Sequence, residues 1–157
     1  MDIDLPDVLA EVGAVFAGYE QALVDNDVER LDALFWPSEF TVRYGAGENL
    51  LGIEAIRRFR AARSPAGLAR TLRHTVITTF GRDFATTMTE FVRPAFEVEG
   101  RLARVGRQSQ TWVRFDAGWR VVAAHISVLA LPAPDPLSLP EPLSLPEPNR
   151  QPVQPGG

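Results

Sequence analysis

Between Arg104 and Leu129 the chain carries two arms of strand-forming residues joined by Asp116-Ala117-Gly118, and no other stretch limits the fold as much. A short loop with Gly where a positive φ is needed makes the pair a long antiparallel hairpin. The second arm, from Trp119 to Leu129, is continuous and largely apolar, as befits a central strand packed on both faces. In the first arm Gln108, Ser109, Gln110 and Thr111 put polar groups on both faces in mid-strand. Buried polar groups need partners, so this arm is expected to border a wet cavity.

Upstream of the hairpin the periodicity is first helical, then extended. Pro6 to Asp25 reads as a helix, with Pro6 in its first turn and Leu5, Val8, Leu9, Val12, Val15, Phe16, Tyr19 and Leu23 on one stripe. A shorter helix follows, with Asp27 as N-cap, Leu31, Leu34 and Phe35 on its buried side and Pro37 as its stop. Phe40 to Tyr44 alternates as a strand, with Thr41 and Arg43 on one face, and Gly45-Ala46-Gly47 breaks the run. From Gly52 to Arg63 a third helix has Ile53, Ile56 and Phe59 on its apolar face, where Arg60 and Arg63 also fall while Arg58 points away. Beyond the Ser64-Pro65-Ala66-Gly67 loop, Leu72 to Phe80 and Phe84 to Val92 read as Thr-rich strands around a Gly81-Arg82-Asp83 turn. Phe96 to Val98 is expected to continue the sheet, and Glu99-Gly100-Arg101 to turn it. The order implies an α+β fold, three N-terminal helices on one face of a curved, mostly antiparallel sheet.

After Leu131 the composition changes. Residues 132–157 are Pro-rich, and Pro136 to Glu141 recurs at once as Pro142 to Glu147, PLSLPE twice in tandem. Proline at that density supports neither ladder nor helix, so the expectation is an extended, mobile tail whose deletion leaves melting and assembly unchanged. The folded unit is then 1–131, long enough for one domain with a real core.

Composition removes several classes of function. The chain has 157 residues, a formal charge of −4 and no cysteine, so no global basic field supports nucleic-acid binding and thiolate chemistry is ruled out. All sixteen basic residues are Arg, which reflects either a codon bias or a use for forked carboxylate recognition. Met1 opens on Asp2-Ile3-Asp4 with no basic segment or long apolar run, so no membrane span is expected and the expected location is the cytoplasm. His74 and His125 are the only histidines, and no HxH or HxxxH spacing exists, so neither a metal site nor another cofactor is expected. Ser109 and Ser127 lack a nucleophile elbow.

The polar groups that remain are few. Arg60 and Arg63 either cover the core edge with their stems or reach an anionic ligand. Tyr19, within a buried stripe, is either a core residue bonded to a backbone carbonyl or a working phenol. Arg107 and Gln108 fall on opposite faces of their strand, and periodicity does not say which faces inward. His74 and His125 are strand histidines with a structural or a ligand-binding role.

The element order and the closing Gly118–Ser127 segment, GWRVVAAHIS, resemble the nuclear-transport-factor-2-like (NTF2-like) superfamily of cone-shaped α+β domains over Asp7 to Leu131. Within it, Val42-Arg43-Tyr44-Gly45 with Glu48-Asn49-Leu50, Phe59-Arg60 with Arg63, and Gly106 to Trp112 are similar to the AtzH-like group. That group includes a dicarboxyurea amidohydrolase of cyanuric-acid breakdown and a protein of oxalurate catabolism; the tail has no counterpart in its pattern. The resemblance implies cofactor-free hydrolysis of a small carboxylated urea or amide by a homodimer. Its catalytic pair, a Tyr on the first helix and an Arg on the first strand, falls on Tyr19 and Arg43. A guanidinium holds a carboxylate through two parallel bonds, and a phenol beside it can orient and activate water. Arg60, Arg63, Arg107, Gln108, His74 and His125 are the candidate substrate-binding residues. The fold alone does not choose between this hydrolase, an isomerase and a non-catalytic dimeric binding or accessory module.

Overall fold

The structure is a computed structural model and describes residues 1–133. The expectation for the Pro-rich tail falls, from residue 134 onward, outside the described residues. Three helices form as the periodicity requires: α1 (Pro6–Val24), α2 (Val28–Ala33) and α3 (Ile53–Ala62). Asp27 caps α2, its side chain accepting from the Arg30 N–H at 3.0 Å, which satisfies one of the open donors of that helix end.

One six-stranded sheet faces the helices. Its strands are β1 (Val42–Tyr44), β2 (Asn49–Leu51), β3 (Thr71–Phe80), β4 (Phe84–Val92), β7 (Arg104–Phe115) and β8 (Gly118–Ala130), in the order β2-β1-β8-β7-β4-β3. All pairings are antiparallel except that of β1 with β8. The β7–β8 hairpin is central, and Gly118 takes φ +102° at its turn, a value that L side chains avoid. Phe96 to Val98 does not continue the main sheet. Pro94–Phe96 forms a 3-10 turn, and β5 (Glu97–Val98) pairs only with β6 (Arg101–Leu102) in a separate two-stranded ribbon. Proline at 94 has no N–H to give a ladder, which ends β4 before it can extend.

The core lies between the helices and the sheet's inner face. Val8, Val12, Phe16, Tyr19 and Leu23 of α1 meet Leu31, Phe35, Ile53 and Ile56, with Trp112, Trp119, Val121 and Ala124 beneath. Burial of each large apolar side chain stabilises by about 1.5–3 kcal/mol, which fixes the register of the hairpin. Two irregularities refine it. Val122 is an extra residue between the pairs Thr111–Ala123 and Trp112–Val121, and His74 and Thr75 together face Thr89, with His74 at φ +49°. Each is a bulge, and each turns the following side chains to the face they occupy.

The polar first arm of the hairpin has a different explanation from the one its composition suggests. Gln108 and Gln110 point inward and are buried, while Ser109 and Thr111 point outward. Both amides bond to neighbouring side chains. Gln108 accepts from Arg70 Nη2 at 3.1 Å and donates to Glu20 at 3.4 Å, and Gln110 Oε1 accepts from Thr87 Oγ1 at 3.0 Å. Protein groups supply these partners, while the Gln110 Nε2 is buried without one.

Candidate functional site

A cavity of about 260 Å³ opens at the end of the inner face where β8, β1 and the end of β4 meet α3. Its charged lining is Arg43, Glu48, Arg63 and Arg93; its apolar wall includes Phe59, Leu68, Phe91, Phe96, Ile126 and Val128. Three guanidiniums against one carboxylate leave the space cationic.

Each of these groups arrives there for a local reason. Alternation along β1 sends Arg43 inward, and its register partner Ala124 on β8 is too small to fill the space beneath it. Arg43 Nη1 donates to Glu48 Oε1 at 2.9 Å, and its guanidinium lies 5.3 Å from the Phe59 ring centre. Glu48 follows the Gly45-Ala46-Gly47 turn. Its carboxylate occupies the place where a Cβ on residue 45 would stand, so a side chain there would displace the carboxylate. Arg63 is the C-cap of α3, Nη2 donating to Asn26 Oδ1 at 3.4 Å. Arg93 precedes Pro94, is held in extended backbone at φ −129°, ψ 155°, and donates from Nη1 to the Gly67 carbonyl at 3.0 Å. The Nε–H groups of both Arg63 and Arg93 are buried without a partner.

Burial sets the electrostatics. It holds Arg63 and Arg93 below the usual guanidinium range; Arg60 and Arg43 push Arg63 further down, and Arg70 does the same to Arg93. Tyr19 acts in the opposite sense on both, and on Arg60. The phenol of α1 is 3% exposed and does not line the cavity. Its ring meets Trp112 edge-on at 6.4 Å and Phe35 at 6.3 Å.

The remaining candidates lie elsewhere. Arg60 is 2% exposed, paired with Asp32 at 2.8 Å and stacked 4.1 Å over Phe35; it ties α3 to α2 and does not reach the cavity. Gln108 belongs to the buried network that joins Arg70 to Glu20. Arg107, His74 and His125 are exposed on the sheet's outer face. Arg107 donates to Ser127 Oγ at 3.2 Å, His74 Nδ1 lies 3.2 Å from Glu90, and His125 packs edge-on against Tyr44. Alternation sends Arg107 and His125 outward, and the bulge at His74 exposes it, so none of the three shares a space with Arg43. Arg93 and Glu48 carried no assigned role in the sequence. A charged residue between an apolar strand and a proline was the signal for the first.

Among the described residues no group of three or more His, Cys, Asp or Glu side chains could hold a metal. Nor is any of their helices long and apolar enough to cross a membrane.

Comparison with known proteins places this arrangement. A family model described as AtzH-like matches residues 1–131. A protein of unknown function of the DUF3225 family from Pectobacterium atrosepticum is 56% identical, the match covering 82% of this chain and 96% of that one at a TM-score of 0.77. A cystatin-like fold protein from Burkholderia xenovorans is 48% identical over 84% and 99% of the two chains, TM-score 0.77. An NTF2-like protein with a cystatin-like fold from Novosphingobium aromaticivorans is 25% identical over 80% and 84%, TM-score 0.61. No functionally curated protein matches. With its domain matched from end to end and its three-helix, curved-sheet fold shared by these structures, the chain belongs to the AtzH-like family of the NTF2-like superfamily.

Proposed function

We propose that the protein hydrolyses a small carboxylated amide or urea, of the dicarboxyurea or oxalurate kind, in nitrogen catabolism in the cytoplasm. The observation that carries the reading is the pair of unpartnered, buried Nε–H groups on Arg63 and Arg93 in the wall of one cationic cavity. Unpaired buried donors of this kind cost stability, and an anion that accepts from them removes the cost. In this reading Arg63 and Arg93 take a substrate carboxylate. Arg43, with N–H groups left over after Glu48, holds the scissile carbonyl oxygen and the charge that develops on it. Water adds to the carbonyl carbon, a C–O bond forms and the C–N bond breaks. Tyr19 relays the proton lost by water to the departing nitrogen, and the family resemblance supports that role.

The test is a turnover screen against dicarboxyurea, allophanate, oxalurate and biuret, with the neutral biuret expected to be the poorest. On any substrate found, Arg43→Lys should not rescue, because an ammonium cannot serve Glu48 and substrate with one fork. The loss in kcat/KM should be about 2 kcal/mol or more. Tyr19→Phe should abolish turnover while lowering stability by about 1 kcal/mol or less. Near-parental turnover in Tyr19→Phe would remove Tyr19 from the mechanism. The position of Tyr19 behind the cavity wall favours a second reading, a ligand-binding or accessory module without turnover. Binding of carboxylated ureas with no product from any of them would establish that one.

The same reading includes a homodimer. One rung of the outer face runs Val76, Met88, Ser109, His125, Tyr44, with Val76 57% and Met88 50% exposed. The exposed Val76, Met88 and Tyr44 of this rung are apolar groups that a second copy would cover.

A further inference from the structure

We propose that Glu48 makes the cavity select ligands carrying an amide or urea N–H next to their carbonyl over the corresponding esters. The proposal rests on the reading of this cavity as an anionic-amide site and adds the residue that reads the nitrogen.

Glu48 is the only carboxylate in the cavity wall among the described residues. In a site built solely for anions it is out of place, since it repels a bound carboxylate. Its setting gives it another use. Arg43 Nη1 and Glu48 Oε1 stand 2.9 Å apart, a strong donor and a strong acceptor side by side at the cavity wall. An amide or urea presents the matching pair on adjacent atoms, an oxygen that accepts and an N–H that donates. Arg43 can meet the first and Glu48 the second.

The carboxylate has capacity for this. Oε1 accepts from Arg43, and Oε2 accepts from the Gly47 N–H at 3.3 Å, whereas a carboxylate has room for about four donors. The turn also holds it in place. Gly45 leaves its side-chain volume to the Glu48 carboxylate, and the Arg43 guanidinium and the Gly47 N–H keep the carboxylate in the wall. An ester oxygen in the same position has no hydrogen to give, and its lone pairs face the carboxylate. Rejection then follows from the repulsion between those lone pairs and the carboxylate.

The experiment compares two probes of one skeleton, malonamate and monomethyl malonate, titrated by NMR into the full chain. Malonamate should bind about tenfold or more tightly, the effect of one hydrogen bond to a charged group. In Glu48→Gln both should bind more tightly, because Arg43 is released, and to within about twofold of each other. Gly45→Ala, which displaces the carboxylate without removing it, should also lose the preference. Melting curves report whether each variant folds. Equal binding of the two probes to the parent, or a preference that survives both substitutions, would overturn the role of Glu48 while leaving the anion site standing. If neither probe binds the parent, the anionic cavity fails and this proposal fails with it. The turnover screen reports on hydrolysis independently of these outcomes.

Discussion

Arg63 and Arg93 show how a buried charge can be costly for the fold and useful for binding. Burial lowers both pKa values, so the charged forms are disfavoured in the folded protein at every pH below the lowered values. That cost is relieved only as pH rises through them, or when an anion pairs with the guanidiniums. Malonate should therefore raise the melting temperature of the parent. The Arg63→Met/Arg93→Met protein should gain nothing from malonate and, without ligand, should unfold no more than a few degrees earlier, since a buried ion replaced by a hydrophobe of similar volume is often tolerated. Differential scanning fluorimetry with and without malonate checks this. Equal gains in parent and variant would place the anion elsewhere.

Among the elements, α3 performs two tasks on one face. Its last turn carries Arg60, buried against Phe35 and paired with Asp32 of α2; its C-cap, Arg63, reaches the cavity wall. Periodicity puts both on the apolar face and cannot separate the roles. What separates them is the partner: Asp32 completes Arg60, while the Nε–H of Arg63 is left open. Asp32→Ala strands a buried cation and should destabilise by about 3–5 kcal/mol in chemical denaturation, and adding Arg60→Met should recover much of the loss. A loss below about 1 kcal/mol would mean that the pair is as weak as an exposed one.

For the whole molecule, the two faces of the sheet divide the work. The inner face holds core and cavity; the outer face holds Val76, Met88 and Tyr44 in one exposed apolar rung. If two copies meet there, Met88→Asp should convert dimer to monomer in sedimentation velocity with little change in secondary structure. A parent that already sediments as a monomer, or a variant that remains a dimer, would rule out this surface as the contact.

The helices, the long hairpin, its glycine turn and the Thr-rich strands were all legible in the sequence, because each depends on local periodicity and turn chemistry. Motif resemblance was enough to reach the family and to single out Arg43, and Arg63 was legible as a candidate because helical phase put it on the apolar face of its helix. Which face of each strand turned inward was not legible. The parallel pairing of β1 with β8, together with the extra residue Val122, decided that Arg43 and Ala124 share the inner face while His125 turns outward. The bulge at His74 likewise turned that residue away from the cavity around Arg43. Arg93 joined the cavity through a contact distant in the chain, with Gly67, and Glu48 through a local one, with Arg43 across the turn between β1 and β2. A strand's period of two determines which residues share a face; the register between strands determines what each face meets, and that is a property of the folded sheet.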